Sequence, residues 1–288
     1  MHKRLWWDAA GVRKWLKKND IEPIAAVSLQ NTGFRVGKDV PSYLYYHQSL
    51  PFYPFNWSPV KAQERTFWFY KNVYPFFVKF FLKKDTKVFV QLDFIKEGFA
   101  KRFKHPEALI KVYSPSVSVP KEAVGQNASG SAPLKLLYPA MPHFYKNHRI
   151  IDEALKLSDA NIEILYTIDP DNRIAADGRI KFLGMQPYEC ICALYRECDA
   201  LLFPSYIETF GLPLLEAAMT GMPIIAADLP YAREVLDGYE GAKFVKFNDP
   251  QAWQKAIESV EKGKRYRPID ISRRPGWKEL FENIKLLS

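Results

Sequence analysis

Two glutamates eight residues apart, Glu208 and Glu216, stand in the otherwise apolar segment FPSYIETFGLPLLEAAMTGMPII (203–225). A helix is predicted to start near Pro213, because proline suits the first helical position, where its missing N–H needs no partner. Two roles fit the carboxylates. They compensate the positive end of the helix dipole, or they accept hydrogen bonds from hydroxyl groups of a bound ligand. Their spacing alone leaves both roles open.

The backbone between the two glutamates has the features of an anion site. It follows the predicted strand 200–204, and ligands of open parallel sheets bind at the carboxyl ends of strands. Gly211 lets the backbone approach a ligand closely. The N–H groups near a helix start favour phosphate. The residues expected to present these groups are Thr209, Phe210, Gly211 and Leu212.

Strands alternate with helices throughout the C-terminal half, which would position this site. The predicted strands are 134–138, 162–168, 179–184, 200–204, 223–227 and 242–247. The predicted helices are 147–157, 187–197, 213–220, 231–237 and 250–262. This alternation predicts an α/β domain whose parallel sheet is covered by helices on both faces.

The N-terminal half carries fewer elements and ends in a change of composition. The predicted elements are an amphipathic helix 5–18, strands 24–29, 43–47 and 87–92, and a helix 94–104. In residues 114–133, 13 of 20 residues are Ser, Gly, Ala or Pro, which is typical of a linker. The expected division is an N-terminal domain 1–120, a linker 121–133, a C-terminal domain 134–270, and a C-terminal helix in 271–288 that packs on the N-terminal domain.

Charge is distributed unevenly between the two halves. The chain has a net charge of +9, but residues 1–132 hold 21 Lys and Arg against 10 Asp and Glu, a net charge of +11. Such a basic half predicts an anionic partner. Nucleic acid is disfavoured, because no helix-turn-helix or other motif that reads nucleic acid is evident.

The aromatic segment FWFYKNVYPFFVKFFLKK (67–84) has two interpretations. It is a core helix, kinked at Pro75, whose lysines extend to water. Alternatively it lies in a membrane interface, with aromatic rings buried and Lys71, Lys79 and Lys83 on anionic lipid. An anionic membrane surface is therefore one expected partner.

The cysteines predict neither a disulfide framework nor a metal site. They lie within nine residues, with the spacing C-x-C-x5-C, which lacks the paired ligands of a zinc site. They are Cys190, Cys192 and Cys198. Neither a secretory signal nor an apolar run of about 18 residues is evident. The expected location is cytoplasmic, with peripheral contact to the inner membrane face.

The segment CDALLFPSYIETFGLPLLEAAMTGMPIIAADLPYAREVL (198–236) resembles the signature of family 4 retaining glycosyltransferases. That family has the GT-B fold of two Rossmann-like domains and an E-x7-E motif, which Glu208 and Glu216 match. The resemblance implies that Glu208 holds hydroxyls of the donor sugar and that Glu216 holds the ribose. It further implies that backbone at 210–212 holds the diphosphate.

The resemblance also assigns a phosphate-binding cation. Lys146, in FYKN (144–147), is similar to the family lysine that contacts the donor phosphates. A positive charge there would oppose the negative charge of the departing diphosphate. The family usually has Gly-Arg shortly before this lysine, but Ala140 and Met141 stand at those positions. The candidates for a second cation are His143, His148 and Arg149.

Two further segments resemble the family. FLGM (182–185), with Gly184, resembles the loop that meets the nucleobase. HQSLPF (47–52) resembles the segment with an active-site histidine, which implies that His47 contacts the donor sugar or the acceptor. Family members usually begin with a strand and a glycine-rich loop ahead of these segments, so the N-terminal domain is expected to be incomplete.

The sequence therefore predicts a hexosyltransferase-type glycosyltransferase of cell-surface polysaccharide synthesis. It would move a sugar, with retention, from a nucleoside diphosphate sugar to a saccharide or lipid-linked saccharide acceptor. No metal and no cofactor beyond the nucleotide sugar is expected. The alternative is a non-catalytic module that binds nucleotide sugars. The sequence selects neither the sugar, the base nor the acceptor.

Overall fold

The computed structural model describes residues 2–119, 133–170 and 177–284. The predicted linker 121–133 lies outside these residues, apart from Pro133. The chain divides into two compact units. The first comprises Met1–Ser116 and Arg274–Ser288, and the second comprises Val117–Arg273.

The described strands of the first unit form a four-stranded parallel sheet in the order β1-β2-β3-β4. The strands are β1 (Ala26–Ser28), β2 (Ser42–Tyr45), β3 (Lys87–Val90) and β4 (Ile110–Val112). The sequence predicts the first three. It misses β4, because three residues with a central lysine, IKV, give no recognisable apolar run.

Several helices belong to this unit. They are α1 (His2–Trp6), α2 (Val12–Lys18), α3 (Arg65–Asn72), α4 (Tyr74–Phe81), α5 (Asp93–Phe103) and α11 (Trp277–Asn283). A π-helical turn, Trp7–Gly11, joins α1 to α2, so the helix predicted at 5–18 is present but locally unwound. Where the sequence predicts a kink at Pro75, the structure has two helices, since α3 ends and α4 begins around Val73. Proline lacks the N–H that would continue the helix.

The last helix completes the core of the first unit. Leu280 and Ile284 are buried against aromatic side chains of the sheet, and Trp277 packs beside them. Lys111 Nζ on the edge strand β4 donates to Asn283 Oδ1 at 2.7 Å. The C-terminal segment therefore folds with the first unit although it follows the second in sequence.

The described strands of the second unit form a six-stranded sheet in which every pairing is parallel. The order is β10-β9-β8-β5-β6-β7. The strands are β5 (Leu134–Tyr138), β6 (Ile162–Tyr166), β7 (Ile180–Phe182), β8 (Ala200–Phe203), β9 (Ile224–Ala227) and β10 (Ala242–Val245). The predicted parallel α/β architecture is confirmed, with strand ends one to two residues shorter than expected for most strands.

Helices connect these strands. They are α6 (His148–Leu155), α7 (Tyr188–Glu197), α8 (Leu212–Met219), α9 (Pro230–Val235) and α10 (Pro250–Glu258). The interior strands β8 and β9 are buried along their whole length. Strands buried on both faces explain the continuous apolar runs ALLF and IIAA.

The structure revises the interpretation of the aromatic segment 67–84. Lys71 Nζ donates to the Tyr53 carbonyl at 2.9 Å, and Lys83 Nζ donates to the Gly37 carbonyl at 2.8 Å. Two of the three lysines therefore form hydrogen bonds within the first unit. Throughout the part of the chain that the structure describes, every helix is too short or too polar to cross a membrane.

Candidate functional site

The strand order of the second unit reverses at β5. This strand pairs with β6 on one side and with β8 on the other. Connections from β5 and β8 therefore leave the same edge of the sheet in opposite directions and open a crevice, where α/β proteins bind ligands. The loop after β5 carries Lys146, and the loop after β8 carries Glu208.

Lys146 and Glu208 form an ion pair at this crevice, through Nζ and Oε1. Their side chains are only 15% and 14% exposed, so the pair is largely removed from water and interacts more strongly than a surface pair. Lys146 Nζ also lies 5.7 Å from the ring centroid of Phe203 and 5.4 Å from that of Tyr145. The aromatic faces favour a cation at this position.

Asn147 fixes the loop that carries the lysine. Its backbone is left-handed, with φ 61°, which asparagine tolerates better than most residues. Its Nδ2 donates to the carbonyls of Pro204 at 3.3 Å and Phe247 at 2.7 Å. The Tyr206 N–H donates to the Tyr145 carbonyl at 3.0 Å. These bonds hold the loops after β5, β8 and β10 together, a role that the sequence analysis missed.

Helix α8 begins at the same edge of the sheet. Gly211 precedes it with φ 83°, and a Cβ there would lie 3.3 Å from atoms of both Leu214 and Tyr231. The backbone conformation therefore favours glycine here, and the neighbouring side chains leave little space for a Cβ. The Phe210 side chain is buried and Leu212 is exposed, at 3% and 42%. The first amides of a helix have no intrahelical partner, which makes this turn suited to an anion.

Glu216 lies in the interior of α8, whose first turn contains no acidic residue. It is only 8% exposed, and the Tyr195 hydroxyl donates to its Oε2 at 2.7 Å. Burial raises the pKa of Glu216, while the hydrogen bond from Tyr195 acts in the opposite direction. Dipole compensation does not explain a carboxylate in this position, so the helix-dipole alternative is wrong for Glu216.

A cavity of about 440 Å³ opens beside the predicted nucleobase loop. Gly184 has φ 68°, and its N–H donates to the Ile168 carbonyl at 3.1 Å, which ties the loop after β7 to the end of β6. Met141, Asp169 and Met185 line the cavity. Its apolar walls with one carboxylate suit a flat, partly polar ligand.

Two of the three candidates for a second cation are engaged elsewhere. His148 is 6% exposed and lies against two buried tyrosine rings, with centroids 4.8 and 5.1 Å away. Arg149 Nε pairs with Glu153 Oε1 at 2.6 Å on the outer face of α6. His143 is exposed, and its ring stacks on Tyr145 at 5.3 Å. Only His143 therefore still fits the expected role.

His47 belongs to the first unit and follows β2. Its N–H donates to Asn31 Oδ1 at 2.6 Å, and Asn31 adopts a left-handed backbone with φ 63°. His47 is exposed, but partial desolvation by its surroundings lowers its pKa, which favours the neutral imidazole near neutral pH. Its ring lies 5.8 Å from that of Tyr45. The histidine is therefore held in a defined position at a strand end, as the sequence predicts.

The cysteines are free thiols, and only Cys190 is exposed. Burial raises the pKa of the Cys198 thiol to about 12, which makes it unreactive near neutral pH. Within the described ranges, no group of three or more His, Cys, Asp or Glu side chains is arranged to hold a metal ion.

Known proteins resemble part of the chain in sequence. Residues 175–273 match the family described as Glycosyl transferases group 1. The O-antigen chain mannosyltransferase RfbU of Salmonella typhimurium is 36% identical over 83 residues, which are 29% of this chain and 23% of that protein. A D-inositol 3-phosphate glycosyltransferase of Corynebacterium efficiens is 39% identical over 90 residues, 30% of this chain and 20% of that protein.

These matches span only about a quarter or less of the length of the curated relatives. A solved structure, Anabaena Alr3699/HepE in complex with UDP-glucose, aligns with a TM-score of 0.55 and 17% identity. The alignment covers 76% of this chain and 62% of that protein. The fold is therefore that of the GT-B enzymes, and residues 175–273 match the glycosyl transferases group 1.

Proposed function

We propose that the protein is a family 4 retaining glycosyltransferase. It transfers a hexose-type sugar from a nucleoside diphosphate sugar to a saccharide or lipid-linked saccharide in cell-surface polysaccharide synthesis. The observation that carries the proposal is the largely buried Lys146–Glu208 pair at the edge of the sheet where α8 begins. The likeness to an O-antigen chain mannosyltransferase supports the saccharide acceptor.

The second unit offers a place for each part of the donor. The diphosphate lies against the first amides of α8, around Gly211 and Leu212, where the helix dipole favours negative charge. The half-buried Thr209 belongs to the same turn. Glu216 accepts hydrogen bonds from the ribose, and the base occupies the cavity beside Gly184. The likeness to a protein solved with UDP-glucose supports this arrangement.

Lys146 and Glu208 exchange partners when the donor binds. In the structure the ammonium group pairs with the carboxylate. The arriving diphosphate offers the ammonium a more highly charged partner, and the released carboxylate accepts hydrogen bonds from hydroxyls of the sugar. Both charges therefore remain compensated in a site that is poor in water.

Transfer breaks the bond between the anomeric carbon and the diphosphate oxygen and forms a bond from that carbon to an acceptor hydroxyl, which loses its proton. Lys146 and the helix amides stabilise the negative charge that develops on the departing diphosphate. Because these groups supply the positive charge, we expect no metal requirement. His47 in the first unit, as a neutral imidazole, would contact the donor sugar or the acceptor.

The test compares nucleotide binding and sugar transfer in matched variants. We expect Glu216→Ala to weaken binding of nucleoside diphosphates in calorimetry, because the ribose loses its acceptor. We expect Lys146→Met to lower turnover by about 10²–10³-fold, as removal of a charge-stabilising group does, and Lys146→Arg to retain part of it. Lys156→Met, at an exposed lysine after α6, is the control.

Each alternative has its own result. If no nucleoside diphosphate binds, the proposal fails together with the alternative of a binding module. Binding without turnover for any donor would contradict the enzyme and favour the non-catalytic module. A strict dependence of transfer on Mn²⁺ would contradict the proposed role of Lys146 and the helix amides.

A further inference from the structure

The N-terminal helical segment, His2–Lys18, exposes an unusual amount of aromatic surface. Trp6, Trp7 and Trp15 are 54%, 42% and 49% exposed. By contrast, Trp57 and Trp253 are 9% and 0% exposed. Large apolar groups clustered on a surface mark sites of interaction, because their exposure to water is unfavourable.

Two of these rings are held in place by the helix itself. A Cβ on Gly11 would lie 2.7 Å from Trp7 Cε3 and 2.9 Å from Trp6 Cζ3, so both indoles rest against this glycine. Lys14 Nζ lies 5.6 Å from the Trp6 ring centroid. The π-helical turn ends at Gly11, and such turns often occur at functional sites.

The opposite side of the segment anchors it to the first unit. Asp8 is 3% exposed, and its Oδ2 accepts a hydrogen bond from Thr32 Oγ1 at 3.4 Å. The Asp8 carbonyl accepts from the Arg35 N–H at 2.8 Å. The tryptophans therefore project from a fixed helix.

The segment is also strongly cationic. Its one acidic residue, Asp8, is the buried anchor. Five of its basic side chains are exposed, namely Lys3, Arg13, Lys14, Lys17 and Lys18. A helix with basic residues and exposed tryptophan is typical of segments that lie in the membrane interface, where indole rings favour the headgroup region.

We propose that His2–Lys18 docks the protein on an anionic lipid surface, with its tryptophans among the headgroups and its cations on lipid phosphates. The exposed indoles favour lipid over other polyanions, since they gain most where water meets hydrocarbon. This places membrane contact on a different element from segment 67–84, where Lys71 and Lys83 are bonded internally. The inference does not depend on glycosyl transfer.

The test measures binding of the full chain to vesicles of phosphatidylcholine with and without phosphatidylglycerol. We expect flotation with the anionic vesicles, weakening as salt screens the cations, and a blue shift of tryptophan emission. Trp7→Ser with Trp15→Ser should reduce binding at least tenfold. Lys14→Gln, Lys17→Gln and Lys18→Gln together should also reduce binding at least tenfold, because each lysine near an anionic surface adds to the attraction.

The control is the exposed face of α4. Phe76→Ser with Phe80→Ser removes side chains that are 68% and 60% exposed, and vesicle binding should be unchanged. Circular dichroism and nucleotide binding verify that each variant is folded. Wild-type binding by the tryptophan and lysine variants would overturn the proposal. So would loss of binding only in the α4 variant, or binding to an acidic protein or oligonucleotide with no vesicle binding.

Discussion

Tyr195 determines how Glu216 can serve a ligand. Its buried hydroxyl donates to the carboxylate at 2.7 Å. Burial raises the pKa of Glu216 and this bond lowers it, so Tyr195 favours the ionised form of a desolvated carboxylate. An ionised carboxylate accepts stronger hydrogen bonds from ribose hydroxyls than a neutral carboxyl group does. Nucleotide binding should therefore weaken as the pH falls through the pKa of Glu216.

We expect Tyr195→Phe to move this decline to higher pH, because losing the hydrogen bond raises the pKa of Glu216 further. A hydrogen bond to a charged group contributes about 1.5–3 kcal/mol, so affinity should fall at least about tenfold. Calorimetric titrations with a nucleoside diphosphate across pH measure both effects. Tyr239→Phe is the matched control, since that buried hydroxyl donates to the Met222 carbonyl instead. An unchanged pH profile would show that Tyr195 does not position Glu216.

The stability of the fold should respond to pH in the opposite sense. Because folding raises the pKa of Glu216, the protonated form favours the folded state. The contribution of this group is fully present below the unfolded pKa and is lost as the pH rises through the folded pKa. As the pH rises through the pKa of Glu216, the candidate site therefore gains affinity for nucleotide while the fold loses this contribution to its stability.

At the scale of elements, α8 is held at its C-terminal end by a glycine. Gly221 has φ 75°, and its carbonyl accepts from the Tyr266 N–H at 2.8 Å. A Cβ there would lie 2.3 Å from the Tyr266 carbonyl oxygen. The chain from Tyr266 to Ile269 thus runs against the end of the helix that carries Glu216, and Ile269 donates to the Ala218 carbonyl at 3.1 Å.

Gly221→Ala should destabilise the second unit much more than Gly238→Ala. Both glycines have a left-handed backbone, but the alanine Cβ would meet no atom within 4 Å at Gly238. The control therefore measures the backbone penalty alone, about 1–2 kcal/mol. The clash at Gly221 should add about 2 kcal/mol or more, as overpacking does. Urea denaturation measures the free energy of unfolding of both variants. Equal losses would show that the Tyr266 segment moves away from the added Cβ without cost.

Elements with clear periodicity were predictable from sequence, and contacts between distant segments were not. The alternation of the second unit gave its strands and helices, and proline located the break before α4. The π-helical turn was missed because an amphipathic pattern does not distinguish it from a regular helix. The Lys146–Glu208 and Tyr195–Glu216 contacts join residues 62 and 21 positions apart, so only the tertiary fold brings them together. Nothing local in the sequence indicated that Tyr195 faces a carboxylate.

At the scale of the whole molecule, the chain leaves the first unit and returns to it. Leu280, at 1% exposure, lies in a cluster with the aromatic residues of the first sheet. Arg274–Ser288 therefore contributes to the core of a unit whose other residues end at Ser116. The first unit should thus depend on the C-terminal helix for its stability, while the second should not.

Leu280→Ala should lower the stability of the first unit by about 2–4 kcal/mol, because it leaves a cavity in a packed core. Phe281→Ala, at a neighbouring side chain that is 40% exposed, should cost under about 1 kcal/mol. A nucleoside diphosphate at a hundred times its Kd should stabilise the second unit by about 2.7 kcal/mol. In calorimetry, Leu280→Ala should therefore lower the unfolding transition of the first unit, and the nucleotide should raise that of the second. Neither change should affect the other transition. A single transition that responds to both changes would show that the units unfold together.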